Sequence, residues 1–226
     1  MENKIPIVVG VTGHRQIREQ DRTLICNAVR TELIKLRTFC PHSPLLMLSS
    51  LAEGGDLLCA DVAEELGISL MAVLPRPCED YRTDFSKASL AVFDHHCARA
   101  KEVFVAPRTE EVPREGSDRS DQFRQAGIYV AAHSHVLFAL WDGGPGNKAA
   151  CGTDATVKFA LNGAYLPADS LLPRSAGNKA VIHVFTPRGE RCNETAGNIH
   201  VLGSREALLD ILKKTDEFNE QLEKRT

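Results

Sequence analysis

Short runs of β-branched and aliphatic residues recur along the chain, and stretches whose apolar positions return every three or four residues separate them. The first rhythm predicts buried strands and the second amphipathic helices. Ile7-Val8-Val9-Gly10-Val11-Thr12 predicts a strand buried on both faces, and Leu24, Ile25, Ala28, Val29, Leu33 and Leu36 mark one face of a helix over 19–37. A strand at Leu45–Ser49 leads to a helix carrying Leu57, Leu58, Val62, Ala63 and Leu66, which Gly67 should stop. A strand at Ile68–Leu74 halts at Pro75-Arg76-Pro77, and a helix over 83–99 and a strand at Glu102–Ala106 follow. Residues 107–118 are polar and proline-containing and read as a loop. A helix over 119–132 and a strand at Val136–Trp141 come next, then the small-residue loop Asp142-Gly143-Gly144-Pro145-Gly146-Asn147 and a helix from Thr153. Residues 162–179 read as irregular, Ala180–Thr186 and Ile199–Leu202 as strands, and the chain after Ser204 as a charged helix.

Strands that alternate with helices predict an α/β fold: a doubly wound, mainly parallel sheet of six to seven strands with helices on both faces. We divide the chain into one domain over 1–203 and a C-terminal charged helix over 204–226. That helix is either solvated or leads into a further segment, such as an effector domain or a membrane segment. Right-handed crossovers place the loop after every parallel strand on one edge, where ligands of such sheets bind.

Composition narrows the field. The 226 residues are 43% hydrophobic and 25% charged, as in globular proteins. No apolar run is long enough to span a membrane and no N-terminal segment reads as a secretory signal, so the expected location is cytoplasmic. The cysteines Cys26, Cys40, Cys59, Cys78, Cys97, Cys151 and Cys192 are widely spaced, which argues for reduced thiols over a disulfide framework or zinc site. The net charge of −3 argues against nucleic acid as a partner.

Three edge loops carry candidate chemistry. Gly13-His14-Arg15 offers close backbone approach and a guanidinium fork for phosphate. Ser49-Ser50-Leu51-Ala52-Glu53-Gly54-Gly55-Asp56 places glycines at a helix start, where free N–H groups suit an anion and the carboxylates suit ribose hydroxyls. An ordinary helix start in which Asp56 caps is the alternative reading. The loop from Asp142 to Asn147, followed by Gly152-Thr153 at a helix start, has the mechanics of a phosphate cradle. It matches neither G-x-G-x-x-G nor a P-loop, because Lys148 is not in a Gly-Lys-Ser/Thr setting. His95, His96, His133 and His135 have no acids at ligand spacing and read as surface or packing residues. Trp141 and Tyr81 are either packing residues or platforms for a base.

Taken together, Val9-Gly10-Val11-Thr12-Gly13-His14-Arg15, Ser50-Leu51-Ala52-Glu53-Gly54-Gly55-Asp56 and Ile68-Ser69-Leu70-Met71-Ala72-Val73-Leu74-Pro75 resemble the SLOG superfamily. That group holds the DNA-processing protein A (DprA/Smf) type, the LOG phosphoribohydrolases and sensor domains of bacterial immune systems. Asp142-Gly143 and Gly152-Thr153 match its second glycine region, and Ile182-His183-Val184-Phe185-Thr186-Pro187-Arg188 looks like a late strand of the same bacterial subgroup. The resemblance spans about residues 5–190. It implies a modified Rossmann fold whose carboxyl-edge pocket takes a nucleotide, lined by Gly13, His14, Arg15, Ser50, Glu53, Gly54, Asp56, Asp142, Gly143, Gly152 and Thr153. It also implies self-association, and it implies no resident cofactor or metal.

LOG enzymes carry P-G-G-x-G-T-x-x-E. Aligned on Gly152-Thr153, the glycine pair becomes Ala149-Ala150 and the glutamate becomes Thr156, which points away from that turnover. The leading expectation is therefore a sensor domain that binds a small nucleotide ligand, of ADP-ribose type first, and relays it to an effector. The alternatives are a nucleoside 5′-monophosphate phosphoribohydrolase and a DprA-like binder of single-stranded DNA.

Overall fold

A computed structural model describes residues 4–107, 119–146, 151–162, 179–189 and 194–225. Residues 108–118 of the loop expected at 107–118, residues 163–178 of the irregular stretch expected at 162–179, and Asn147, Lys148, Ala149, Ala150 and Cys192 lie outside the described residues.

The chain order is β1 (Ile7–Gly13), α1 (Glu19–Phe39), β2 (Leu45–Ser49), α2 (Gly55–Glu65), β3 (Ser69–Leu74), α3 (Cys78–Arg82), α4 (Lys87–Arg99) and β4 (Glu102–Val105). It continues with α5 (Arg119–Ala132), β5 (Val136–Trp141), α6 (Thr153–Asn162), β6 (Ala180–Phe185), β7 (Ile199–Leu202) and α7 (Arg205–Glu223). The strands form one seven-stranded sheet in the order β4-β3-β2-β1-β5-β6-β7. All neighbours are parallel except β6 and β7, which pair antiparallel with Ile182 opposite Val201. The first four strands step outward from β1 on one side. The chain then returns to set β5 beside β1, with Val11 opposite Phe138, and steps outward on the other side.

The strands alternate their side chains between two apolar layers, as period-two geometry requires. Val9, Val11, Met47, Phe138 and Leu140 face Ile25, Val29 and Leu33 of α1, Leu58 of α2, Phe93 of α4 and Leu208 and Leu212 of α7. Leu48, Leu137, Ala139 and Val181 face Ile128 and Val130 of α5 and Val157 and Phe159 of α6. The sheet is thus covered on both faces. The edge strand β4 is the least covered, with Val103 and Val105 exposed.

The helix expected over 83–99 starts only at Lys87, with the separate short helix α3 ahead of the expected span, and the late start has a local cause. Ser86 is extended and its hydroxyl accepts the Ser89 N–H, which caps α4. The preceding turn lets Tyr81 and Phe85 pack edge-on, and both rings meet Phe93. Gly67 closes α2 at φ +66°, donating its N–H to Glu64.

Although its sequence is highly charged, α7 is bound into the body. The fully buried Asn219 accepts the Ile5 N–H at 2.9 Å, and its amide donates to the Ile5 carbonyl and to Ser43 at 2.8 Å. The Asp216 carboxylate accepts the His42 N–H and the Ser43 hydroxyl. Lys179, just before β6, donates to the carbonyls of Ala131, Ala132 and Ser134 at 2.5–2.6 Å and caps the end of α5. Among the described residues, no helix is long and apolar enough to cross a membrane.

Candidate functional site at the carboxyl edge

The strand order reverses direction between β1 and β5, so the loops that follow these two strands diverge and leave a crevice between them. A cleft of about 590 Å³ opens there. It is lined by Gly13-His14-Arg15-Gln16 at the end of β1, by Trp141 with Gly144-Pro145-Gly146 after β5, and by Cys151, Gly152, Thr153 and Asp154 at the start of α6. Glu53 and Arg188 stand at its sides.

Of the residues singled out in the sequence, Gly13, His14, Arg15, Glu53, Gly152 and Thr153 share this cleft. Ser50, Gly54, Asp56, Asp142 and Gly143 do not line it. They build the walls from behind, and each does so for a physical reason.

Gly13 and Gly55 are in backbone contact: a Cβ on either would lie 2.9 Å from the other's Cα. Gly54 has φ +88°, and a Cβ there would fall 2.3 Å from the Arg15 carbonyl. The Gly55 N–H is engaged by the His14 carbonyl at 2.9 Å. The glycine pair therefore locks two loops together, and the Gly55 N–H is already taken by that lock. Asp56 points inward. Its carboxylate accepts the Ser49 hydroxyl at 3.1 Å and the Ala52 N–H at 3.4 Å. Complete burial pushes its pKa up to about 7, against the lowering effect of the Ser49 hydroxyl and of backbone N–H groups from Ala52, Ser50 and Gly13. The turn over this carboxylate holds Leu51 at φ +52°, a left-handed conformation that costs a non-glycine residue about 1–2 kcal/mol.

Behind the other wall, the Asp142 N–H donates to His14 Nε2 at 3.1 Å. Burial holds His14 below the usual histidine range, so the neutral ring accepts this bond and ties the loop after β1 to the loop after β5. The Asp142 carboxylate accepts the Gly144 N–H at 3.0 Å and Arg188 Nε at 2.7 Å. Partial burial pushes Asp142 up, but the Arg188 guanidinium first and the Gly144 N–H after it outweigh this, and the pKa is lowered to about 2. Gly143 turns this loop at φ +76°.

The cleft itself presents cations, a helix start and an aromatic ring. The Arg15 and Arg188 side chains are 46% and 52% exposed at its mouth. Arg15 donates to the Asp84 carbonyl at 2.5 Å and lies 3.5 Å from Glu53. The Ser89 hydroxyl, first among several groups, holds Glu53 below the usual carboxylate range, so this carboxylate is ionised and a poor proton donor. The start of α6 brings the positive end of a helix to the same cleft as Trp141. Trp141 Nε1 donates to the Gly144 carbonyl at 2.9 Å, which sets the ring's orientation in the wall. Thr156, at the position of the LOG-type glutamate, is buried, donates to the Gly152 carbonyl and packs against Gly127. The arrangement offers an anion two part-exposed guanidinium groups and the start of a helix.

Arg188, Gln16 and Asp154 are cleft residues that the sequence reading did not select. The signal for Arg188 was its place just beyond the carboxyl end of β6.

The fold is Rossmann-like. No protein-family model matches the chain, and no curated protein does. Two similar solved structures are the DNA processing protein A of Streptococcus pneumoniae and that of Helicobacter pylori, the latter described for its single-stranded DNA binding mode. The first is 14% identical with a TM-score of 0.46, over 93% of this chain. The second is 16% identical with a TM-score of 0.48, over 97% of this chain. The chain spans 56% of the length of the first and 81% of the second. Likeness of this extent does not say what this chain binds. One expectation nevertheless needs correction: the argument from net charge against nucleic acid does not stand, since a structure in this comparison is described as binding single-stranded DNA. The relevant charge is that of the groove, where Arg15 and Arg188 are exposed, and not that of the whole chain.

Proposed function

We propose that the carboxyl-edge cleft binds the phosphate of a nucleotide, with Arg15 and Arg188 as its guanidinium partners and Trp141 beside the base. The observation that carries this reading is the convergence of both arginines and the start of α6 on one cleft of about 590 Å³ at the switch in strand order. The resemblance to SLOG sensor domains makes a nucleotide-derived signal of ADP-ribose type the first ligand to test. Relay of that signal to an effector or to a second copy of the chain rests on the resemblance alone.

The second reading is single-stranded nucleic acid, of which the cleft would hold one nucleotide. The exposed arginines at the mouth favour it, as does Arg119 nearby, which shares Asp84 with Arg76 and is 55% exposed. The Helicobacter pylori protein supplies the precedent. The phosphoribohydrolase reading is disfavoured by Thr156, which is buried away from the cleft.

Calorimetry of the purified chain with AMP, ADP, NAD, ADP-ribose, cyclic dinucleotides and an oligothymidylate separates these readings. The expected result is saturable binding with the ligand recovered intact. Arg15→Ala and Arg188→Ala should each weaken it roughly tenfold or more, the weight of a charge-assisted hydrogen bond of about 1.5–3 kcal/mol. Binding by the oligonucleotide alone would select the second reading, release of free base would select the hydrolase, and no binding by any member would overturn the proposal.

A further inference from the structure

The opposite edge of the sheet holds a second constellation, built where α2 and α4 pack side by side. His95 and His96 read as surface or packing residues in the sequence because they are not paired with acids at metal-ligand spacing. The fold brings the acids from another helix. His95 Nε2 lies 2.8 Å from Glu64 Oε2, and His96 Nδ1 lies 3.9 Å from the same oxygen. One ligand atom from each of Glu64, His95 and His96 falls within 4.8 Å of the other two. Among the described residues, this is the one group of three such side chains so placed.

We propose that Glu64, His95 and His96 form a binding site for a borderline transition-metal ion, zinc above all. Two imidazole nitrogens and one carboxylate oxygen are a recurrent three-ligand zinc set that leaves one position open. Tetrahedral bonds of about 2.1 Å place neighbouring ligand atoms about 3.4 Å apart. The observed 2.8 and 3.9 Å straddle that spacing, so small side-chain rotations suffice.

The surrounding groups orient these ligands as outer partners of metal sites do. His96 Nε2 lies 2.8 Å from Asp61 Oδ1, and a carboxylate can only accept, so the ring proton sits on Nε2 and Nδ1 of the neutral ring keeps its lone pair on the Glu64 side. His96 is nearly inaccessible, with 3% of its side chain exposed, so its orientation is fixed by packing as well. Arg99 Nε pairs with Glu64 Oε1, which leaves Oε2 toward the histidines. Arg22 holds Asp61 at 3.2 Å. The two carboxylates are thus balanced by two guanidinium groups before any metal enters. Metal at His95 Nε2 displaces the proton that the ring directs at Glu64 Oε2: a neutral ring then carries its proton on Nδ1, and a protonated ring keeps one proton on Nδ1 and releases the other to solvent. Glu64 and His96 also line a recess of about 220 Å³ with Arg99 and Lys101, which gives an ion access from outside.

The test is titration of the full chain, stripped with chelator, by zinc against a chromophoric competitor, with magnesium as the hard-ion control. Cobalt substitution supplies a second readout, the visible absorption of a low-coordinate nitrogen/oxygen site. The expected result is one zinc per chain, tenfold or more weaker in His95→Ala and in Glu64→Gln, and no competition by magnesium. Asp61→Asn, which supplies no ligand atom and acts through His96, should weaken zinc by roughly 10–100-fold. Circular dichroism confirms that each exposed-site variant keeps its fold, so the buried His96 need not be altered. Absence of stoichiometric zinc binding, binding unchanged in His95→Ala and Glu64→Gln, or equal competition by magnesium would each overturn the proposal.

Discussion

Asp56 shows how one residue sets the shape of the site without entering it. Its carboxylate is buried under the turn of residues 49–55, and backbone N–H groups from both the first and second edge loops reach it. With its pKa raised to about 7, against about 3.9 for an ordinary aspartate, the folded state keeps a proton that the unfolded chain releases. The stability this gives is complete below about pH 3.9 and is lost as pH rises through 7. Burial lowers His14, His135 and His183, and these act with the opposite sign: their contribution is present above the usual histidine pKa and lost as pH falls. Thermal melts of wild type and Asp56→Asn between pH 5 and pH 8 isolate the aspartate. The variant's melting temperature should gain on the wild type's across that range, and parallel curves would show that Asp56 does not titrate there. The sequence disclosed that Asp56 stands at a helix start, but not that it faces inward. That direction is set by Ser49 and by the contact of Gly13 with Gly55, two pairings made across separate loops.

At the scale of elements, the periodicity of apolar residues located nearly every strand and helix, because burial of one face is what that pattern encodes. It failed at residues 78–86, where polar capping decides. Ser86 ends one path and starts α4, and an apolar pattern does not register a hydroxyl. The hold of α7 on the body was equally hidden, since Asn219 and Asp216 look like solvated residues of a charged helix. Asn219→Ala removes three hydrogen bonds and leaves the Ile5 N–H and carbonyl without their side-chain partner. Chemical denaturation should show a loss of about 1–3 kcal/mol, with an unchanged denaturant slope. Lys179→Met should cost a similar amount, because three carbonyls at the end of α5 lose their common donor. A loss below about 0.5 kcal/mol in either variant would show that solvent replaces these partners.

For the whole molecule, the order of elements predicted a doubly wound sheet, and right-handed crossovers directed the search for a candidate site to its carboxyl edge. Net charge misled because it sums over surfaces that never meet a ligand. Many of the chain's acids are spent in ion pairs far from the cleft, such as Glu65 with Arg30 and Glu223 with His42. The arginines at the edge lie on three different loops: Arg15 after β1, Arg119 at the start of α5 and Arg188 after β6. Only the assembled sheet brings Arg15 and Arg188 to one cleft, with Arg119 joined to Arg15 through Asp84. Salt dependence reads this arrangement directly. If single-stranded nucleic acid binds by contacts from these three arginines, each phosphate neutralised contributes about −0.7 to the slope of log affinity against log salt, for a total of about −2. Arg119→Ala should make the oligothymidylate slope shallower by about 0.7 and leave the affinity for ADP-ribose within about twofold, because Arg119 is not part of the cleft. An equal loss for both ligands would place Arg119 in the mononucleotide site, and a slope near zero would leave the cleft as a pocket for a free nucleotide.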